Sequence, residues 1–470
     1  MSRAGPLGLR HVLAVSLSLP LGAGVFVVPR GVENLGGPGT PAAYLVATLA
    51  VCAVGVPHAI FLSSPLAERE GVVYFAVSRT WGSRPLGFLA AWPAVGAYAA
   101  VLAALVTALG RTLAPAVPTA AALAVLVVVV AVHALGPAVA GRIQLWTVGA
   151  LLALLVGMVV AGLTALAPAN FSPLFPTPTL RNAPLRSLGA ATVATLVGFA
   201  GFEGGVALAA STREPRRTVP RAVLSGILLA GAVAAVAAFV ALGVIPWSRL
   251  VFATAPFTEA AASALGVAPQ SLLVPGVTLA TASAALATVW RPTSTIRGLG
   301  DVVSGIDRAT RSGLPDPALA LTGTLAAVVV VLDAVGPALY LSLVGIFLPY
   351  AAVAVSAAAL PAVRPALYRR CRLRLPPAVL AVVSVFGAVA AAAVLRYVVV
   401  LDPATTLGVA RWAPSLSVVP DAVLVRDPLL TVVPAALLWE LVGVVVLAVA
   451  ADYRAEHDRY RPPLDAAYDE

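Results

Sequence analysis

Lysine is absent from this 470-residue chain, and all 30 basic residues are arginine. Charged residues make up only 11% of the sequence, whereas 60% of it is hydrophobic. A water-soluble domain carries about 25% charged and roughly 45–50% apolar residues. Because no soluble core could hide so much apolar side chain, the scarcity of charge excludes a soluble globular protein. It favours a chain that lies in a lipid bilayer.

Cysteine and histidine are also scarce. The two cysteines, Cys52 in an apolar run and Cys371 in an arginine-rich segment, exclude a disulfide framework. The four histidines are scattered, so no metal site and no cofactor are expected. The net charge of +10 comes from short arginine clusters between apolar runs rather than from a continuous basic face, which excludes nucleic acid as an expected partner.

Long apolar runs are what the sequence does contain. Windows of roughly 20 apolar residues are typical of membrane-spanning helices. They predict an all-α polytopic membrane protein with about twelve transmembrane helices. The predicted spans are residues 9–33, 40–63, 85–110, 119–138, 143–167, 187–209, 221–245, 271–291, 316–334, 336–360, 376–399 and 428–451.

The distribution of arginine predicts the orientation. When both termini are placed in the cytoplasm, 22 of the 30 arginines fall on the inner side of the membrane, Arg291 among them. Cytoplasmic loops of membrane proteins carry such an excess of basic residues. We therefore expect a multi-pass protein of the cell membrane with both termini cytoplasmic.

Two glycines stand between two prolines in the middle of the first predicted span. Gly22 and Gly24 flank Ala23 between Pro20 and Pro29, and both residue types disfavour a continuous helix. A break at that depth frees main-chain groups, which are tolerated only where they line a cavity or bind a ligand. Freed N–H groups suit a carboxylate, and freed carbonyls suit an ammonium group. A kinked or closely packed helix is the structural alternative.

Glycines cluster again in the sixth predicted span, at 197–205, where they surround the acid Glu203. An ionisable group at that depth is costly and indicates a function. The alternative is a structural glutamate that bonds main-chain groups freed by a helix break. The breaks in spans one and six occupy corresponding positions in two successive sets of five spans. Such pairs indicate a transporter site formed by inverted repeats.

Several segments resemble the amino acid–polyamine–organocation (APC) superfamily of permeases. Its first-span signature, G-x-G-[IV]-F-x-x-P, is matched at 22–29, and the G-F-E of its sixth-span signature at 201–203. The second part of the sixth-span signature is matched at 214–222, with shortened spacing after its acid. Residues 69–79 resemble the family's loop between spans two and three, and 246–247 and 255–257 resemble its outer loop after span seven. The resemblance extends over roughly residues 15–360.

The resemblance implies a LeuT-type fold. It implies a transport core in 1–360, built from two inverted five-helix repeats at about 9–167 and 187–360, with two additional helices in 361–451 and a cytoplasmic tail at 452–470. Its implied function is transport of amino acids or related small organic amines by alternating access, without enzymatic chemistry. The substrate-binding residues carried over by motif are Gly22, Ala23, Gly24, Gly198, Phe199, Ala200 and Gly201, with Glu203 as a functional intramembrane acid.

The chain also departs from the family pattern. Leu62 stands where the family commonly has a second-span glutamate, Val72 replaces a loop glycine, and Ala150 stands where some proton-coupled members carry a lysine. A lysine mechanism is therefore excluded. Thr281 and Ser283 are candidate sodium ligands, although such hydroxyls often bond their own helix. Coupling by proton, sodium or exchange stays open.

Two other functional classes remain as alternatives. The departures keep open a transporter-like nutrient sensor or scaffold without net flux. A membrane-embedded enzyme would need converging polar groups, but His58 and His133 stand alone in apolar runs. Glu440, in the twelfth predicted span, is expected to contact another helix or subunit.

Overall fold

The computed structural model describes residues 5–22, 25–26, 36–174, 182–253, 255–303, 316–400 and 428–457. These parts of the chain contain no β-strand, only one isolated bridge between Leu7 and Thr212. Eight of their helices are long and apolar enough to cross a membrane, and three further apolar helices are shorter. The predicted all-α membrane protein is confirmed, while the count of twelve spans stays a prediction.

The helices follow the predicted spans closely. The helices before residue 175 are α1 (Leu9–Gly22), α2 (Thr40–Leu62), α3 (Val72–Trp81), α4 (Arg84–Ala91), α5 (Pro93–Leu113), α6 (Pro118–Ala134) and α7 (Pro137–Leu163). The next are α8 (Pro184–Gly198), α9 (Gly204–Ala207), α10 (Pro215–Val244), α11 (Trp247–Leu250), α12 (Pro256–Leu265) and α13 (Gln270–Leu299). The last are α14 (Pro317–Val331), α15 (Val335–Val363), α16 (Pro365–Arg369), α17 (Pro377–Val400) and α18 (Pro428–His457).

Proline marks where most of these helices begin. It is the first residue of ten helices in the described parts of the chain. Proline suits this position because the first N–H groups of a helix have no intrahelical partner, and its fixed φ is already helical. Inside the helices, threonine hydroxyls bond the carbonyl one turn earlier, as Thr48 does with Tyr44 at 2.7 Å. Prolines also occur inside α2, α10, α13 and α15, where they do not end the helix.

Helix α1 lies at the centre of the bundle. It packs against α10, α13, α7 and the short α9. The approach of α9 is close, because a Cβ built on Gly205 would lie 2.0 Å from the Ser16 hydroxyl. Helix α13 in turn packs against α5, and α15 packs against both α5 and α17. The segments that carry the sequence motifs therefore meet in the interior.

The eighth span is longer than predicted. Its expected end was residue 291, but α13 continues past Pro292 to Leu299. The hydroxyls of Thr293 and Thr295 bond the carbonyls of Val289 and Arg291, at 2.5 and 2.9 Å, so polar side chains here satisfy the helix itself. The assignment of Arg291 to an inner loop was wrong, because this residue lies inside the bundle and is 1% exposed.

Candidate substrate-binding site

The sixth predicted span is interrupted. Helix α8 ends at Gly198, and residues 199–203 form a turn before α9. Gly201 adopts φ +100°, a conformation that L-residues other than glycine rarely take. A Cβ at this position would also lie 2.3 Å from the Leu19 side chain of α1. The predicted helix break is confirmed, and it lies directly against the first span.

The other sequence-predicted site residues lie around this turn. Gly198, Phe199 and Ala200 are buried in it. Gly22 is the last residue of α1, and a Cβ there would lie 3.3 Å from the carbonyl oxygen of Ala280 in α13. Ala23 and Gly24 lie outside the described residues, so the interruption of the first span stays a prediction.

Glu203 is completely buried at the end of the turn. Its carboxylate accepts hydrogen bonds from the hydroxyls of Tyr98 in α5 and Tyr350 in α15. The Tyr350 hydroxyl also accepts a bond of 3.3 Å from the Gly201 N–H. One tyrosine therefore ties the acid to the main chain of the turn. Sequence reasoning missed both tyrosines, although a phenol in an apolar span is a signal because its hydroxyl needs a partner when buried.

His58 is not the isolated residue that the sequence indicated. Its ring lies edge-on to Phe202 and Tyr350, with ring centroids 5.8 and 5.6 Å away. Nδ1 lies 3.0 Å from the Val54 carbonyl oxygen, whereas Nε2 is buried without a hydrogen-bond partner. The second span therefore contributes a polar side chain beside the Glu203 cluster. His133 also has a neighbour, the Trp290 ring at 4.9 Å.

Arg291 completes the buried polar cluster. It is close enough to interact electrostatically with Glu203, Tyr350 and His58. Its Nε and Nη1 atoms are buried and have no hydrogen-bond partner. The structure thus gathers Glu203, Tyr98, Tyr350, His58 and Arg291 from five spans, of which the sequence pointed only to the first.

A small apolar cleft of about 10 Å³ adjoins the same turn. Phe199, one of the predicted substrate-binding residues, lines it. The other lining residues are Val51, Val54, Leu196, Phe202, Phe347, Tyr350, Ala390 and Ala391. The turn therefore has main-chain dipoles and a carboxylate on one side and aliphatic and aromatic side chains on the other.

Comparison with known proteins decides the family. The amino acid permease family matches the chain over residues 7–403. The chain belongs to this family. The predicted membership of the APC superfamily is thereby confirmed.

Two relatives illustrate how far the similarity extends. The chain is 24% identical over 274 residues to the branched-chain amino acid permease BcaP of Lactococcus lactis subsp. cremoris, covering 53% of this chain and 58% of that protein. It is 30% identical over 258 residues to an uncharacterized transporter of Mycobacterium tuberculosis, covering 54% and 56%. The chain thus spans less than two thirds of the length of the relatives it matches.

The fifth span of this permease differs from what the motif alignment implied. Ala150 is exposed on the outside of α7 rather than facing the core. Gln144 is the polar residue of α7 that points inwards, and its amide nitrogen lies 2.6 Å from the Ser18 hydroxyl and 3.0 Å from the Ser283 hydroxyl. An N–H donor therefore occupies the junction of α1, α7 and α13. Ser283, a candidate sodium ligand, already bonds Gln144 and Ser18.

Proposed function

We propose that the protein is a secondary active transporter that moves amino acids or related small organic amines by alternating access. The observation that carries the proposal is the turn at 199–203, where a buried carboxylate and an interrupted helix lie against α1. Interrupted helices at the centre of a transporter bundle supply main-chain dipoles for charged substrate groups. Membership of the permease family supports the same function.

The proposed site holds a zwitterion by its two charged ends. The N–H groups that follow Gly22, including those of Ala23 and Gly24, bind the substrate carboxylate. The carbonyls of Gly198 to Gly201 bind its ammonium group, and Glu203 adds a negative charge behind them. Main-chain dipoles then hold both charged ends, so the site needs no further ionisable side chains in the bilayer.

Apolar side chains beside the turn favour a substrate with a hydrocarbon side chain. They are Phe199, Phe202 and Phe347 with the aliphatic residues of α2 and α8. One relative is described as a branched-chain amino acid permease. We therefore propose that aliphatic amino acids are the first substrates to test. Among coupling ions, sodium is disfavoured because the Gln144 amide donor occupies the space between Ser18 and Ser283.

In this proposal residues 1–360 form the transport core of two inverted five-helix repeats, 361–451 carry two additional helices, and 452–470 form a cytoplasmic tail. Alternating access is then a rocking of the α1 and α8–α9 region against the remaining helices. In the predicted orientation, ion pairs between the α2–α3 loop and the end of α13 close the inner side. Arg297 bonds Glu70 at 3.0 Å there and also bonds Asp316.

Uptake by proteoliposomes tests the proposal. We expect purified protein to accumulate a labelled aliphatic amino acid, which is recovered unaltered, and unlabelled substrate to compete with it. Liposomes without protein serve as the inactive reference. Binding of amino acids without any flux would instead identify a sensor, and chemical alteration of the substrate would identify an enzyme.

A further inference from the structure

Arg291 is a buried cation that the proposed zwitterion site does not use. It lies eight residues before the end of α13 at Leu299, about 12 Å along the helix axis at 1.5 Å per residue. Its exposed fraction is 1%, which is unusual for an arginine inside a membrane-spanning helix.

The guanidinium group of Arg291 lacks an ion-pair partner. Among the described residues, no carboxylate oxygen lies within 4.0 Å of it. The nearby carboxylate of Glu203 accepts instead from Tyr98 and Tyr350. Two of the three guanidinium nitrogens, Nε and Nη1, are buried without any hydrogen-bond partner. A buried charge left in this state costs several kcal/mol, so a ligand that supplies the missing acceptors would be strongly favoured.

The groups around Arg291 and its own geometry indicate the chemical class of such a ligand. The titratable groups that act on Arg291 are Glu203 and Tyr350, and Arg291 itself acts on His58. The nitrogens of a guanidinium form planar forks that match a carboxylate in bidentate geometry, and the Nη1 and Nη2 pair is one such fork. A carboxylate on this fork would give Nη1 an acceptor and neutralise the charge. The transported molecule, as proposed above, is the carboxylate-bearing ligand that enters this part of the bundle.

We propose that Arg291 binds a carboxylate of the transported molecule beside the sixth-span turn. This inference rests on the proposed transport function. The carboxylate has two sources: the α-carboxylate of any amino acid on its way through the protein, or the side-chain carboxylate of an acidic substrate. In both cases Arg291 lacks an ion-pair partner before the substrate arrives and pairs with the substrate carboxylate afterwards.

Ligand binding to purified protein tests this role without depending on transport. The probes are leucine, glutamate, 3-methylbutylamine, which is leucine without its carboxylate, and 4-aminobutyrate, which keeps only the side-chain carboxylate of glutamate. We expect wild-type protein to bind at least one carboxylate probe, and Arg291→Met to weaken that binding about tenfold or more. Binding of 3-methylbutylamine should be unchanged. Arg291→Lys keeps the charge but not the fork, and should restore the affinity only partly.

The pattern across the probes identifies the source. Weaker binding of leucine and glutamate alike indicates the α-carboxylate. Weaker binding of glutamate and 4-aminobutyrate alone indicates the side-chain carboxylate. Equal affinities of wild type and Arg291→Met for all four probes would overturn the proposal, as would a wild-type protein that binds none of the carboxylates.

Arg79 provides a matched control. It is also a buried arginine, 3% exposed, with Nε and Nη1 unpartnered. It lies in α3 over the Phe75 ring, 5.4 Å from the centroid, so an aromatic face is already its partner. We expect Arg79→Met to leave the carboxylate affinities unchanged. An equal loss in both variants would show a general effect of removing a buried arginine and would overturn the specific role of Arg291.

The rise in Tm on addition of each probe gives a second readout. Arg291→Met should lose the stabilisation by carboxylates that the wild-type protein shows. If Arg291→Met fails to fold, Arg291→Lys takes its place, and a rise in Tm with carboxylates as large as in wild type would overturn the proposal. If carboxylates bind through Arg291 but no flux occurs in proteoliposomes, the transport proposal fails and the binding role stands.

Discussion

Gly71 and Gly298 meet main chain against main chain, and a Cβ built on Gly298 would lie 2.5 Å from the Cα of Gly71. Gly71 has φ +73°, and its N–H donates to the Ser294 hydroxyl at 3.1 Å. Arg297, on the next turn of α13, holds Glu70 of the same loop. The loop between α2 and α3 is therefore fastened to the end of the helix that carries Arg291.

Adding a methyl group at this contact should loosen it. We expect Gly298→Ala to push the α2–α3 loop away from α13, at a cost of about 1–3 kcal/mol for an overpacked contact. The Tm should fall and uptake should slow, because the closed inner side becomes harder to form. Gly149→Ala in α7 is the control, since a Cβ there meets nothing within 4 Å. Equal Tm and uptake in the two variants would show that the glycine contact does not hold the inner side closed.

A side chain at Gly201 should abolish transport while the protein still inserts into the membrane. The position combines φ +100° with a distance of only 2.3 Å between a built Cβ and the Leu19 side chain. The strained backbone alone costs about 1–3 kcal/mol. We expect Gly201→Ala to lower uptake at least about tenfold, and Gly24→Leu to do the same in the first span.

Gly189 is the matched control for Gly201. It lies in α8, and a Cβ built on it meets nothing within 4 Å. Gly189→Ala should therefore transport like wild type at equal membrane abundance. Uptake by Gly201→Ala at the wild-type rate would remove the turn from the proposed site.

Glu203 should matter more than Glu440. Glu203 is completely buried and accepts from two tyrosines, whereas Glu440 in α18 is only half-buried. In Glu203→Gln one of the two acceptor oxygens becomes an NH₂ donor, which leaves one buried tyrosine hydroxyl without its partner. We expect at least about a tenfold loss of uptake for Glu203→Gln and less than about a twofold loss for Glu440→Gln. Similar losses would contradict this ranking.

The same uptake assay distinguishes the role of Tyr350 from that of Tyr98. The Tyr350 hydroxyl bonds both Glu203 and the Gly201 N–H, whereas Tyr98 bonds Glu203 alone. Tyr350→Phe therefore frees a main-chain donor as well as the acid. We expect Tyr350→Phe to slow uptake more than Tyr98→Phe. The reverse order would mean that the bond to the turn has little effect on transport.

The helix interruption at 199–203 could be predicted from the local sequence alone. Clustered glycines disfavour a helix whatever surrounds them, and an acid among them needs freed main-chain groups or other partners. The cluster around Glu203 was not predictable in this way. Tyr98, Arg291 and Tyr350 lie far from it in the sequence, and no local pattern shows which faces of their helices turn inwards.

Arg291 and Ala150 show where predictions from apolar windows and motif matches fail. A charged residue after an apolar run is normally the end of a span, but α13 stays helical for eight residues past Arg291. The motif alignment pointed to Ala150, whereas the inward-facing polar residue of α7 is Gln144. Helix rotation decides which of two nearby positions faces the core, and packing against α1 and α13 sets that rotation.

Cys371 is a native probe of the segment that joins α16 to α17. This segment is bound to the end of α2, because the N–H groups of Arg372 and Leu373 donate to the Ser63 carbonyl and hydroxyl, each at 3.1 Å. Cys371 itself is 3% exposed, and burial raises the pKa of its thiol from 9.0 to about 11. The reactive thiolate is therefore about a hundredfold scarcer at neutral pH than for a free thiol of ordinary pKa.

Maleimide labelling of the native protein should accordingly be slow at Cys371. The rate should rise as the pH approaches 11, since the raised pKa moves thiolate formation upwards. Unfolding in detergent removes the burial and should bring the rate to that of a free thiol. In Cys371→Ser only Cys52 can react, so labelling of this variant gives the contribution of Cys52. Fast labelling of native Cys371 at pH 7 would show that the segment detaches from Ser63.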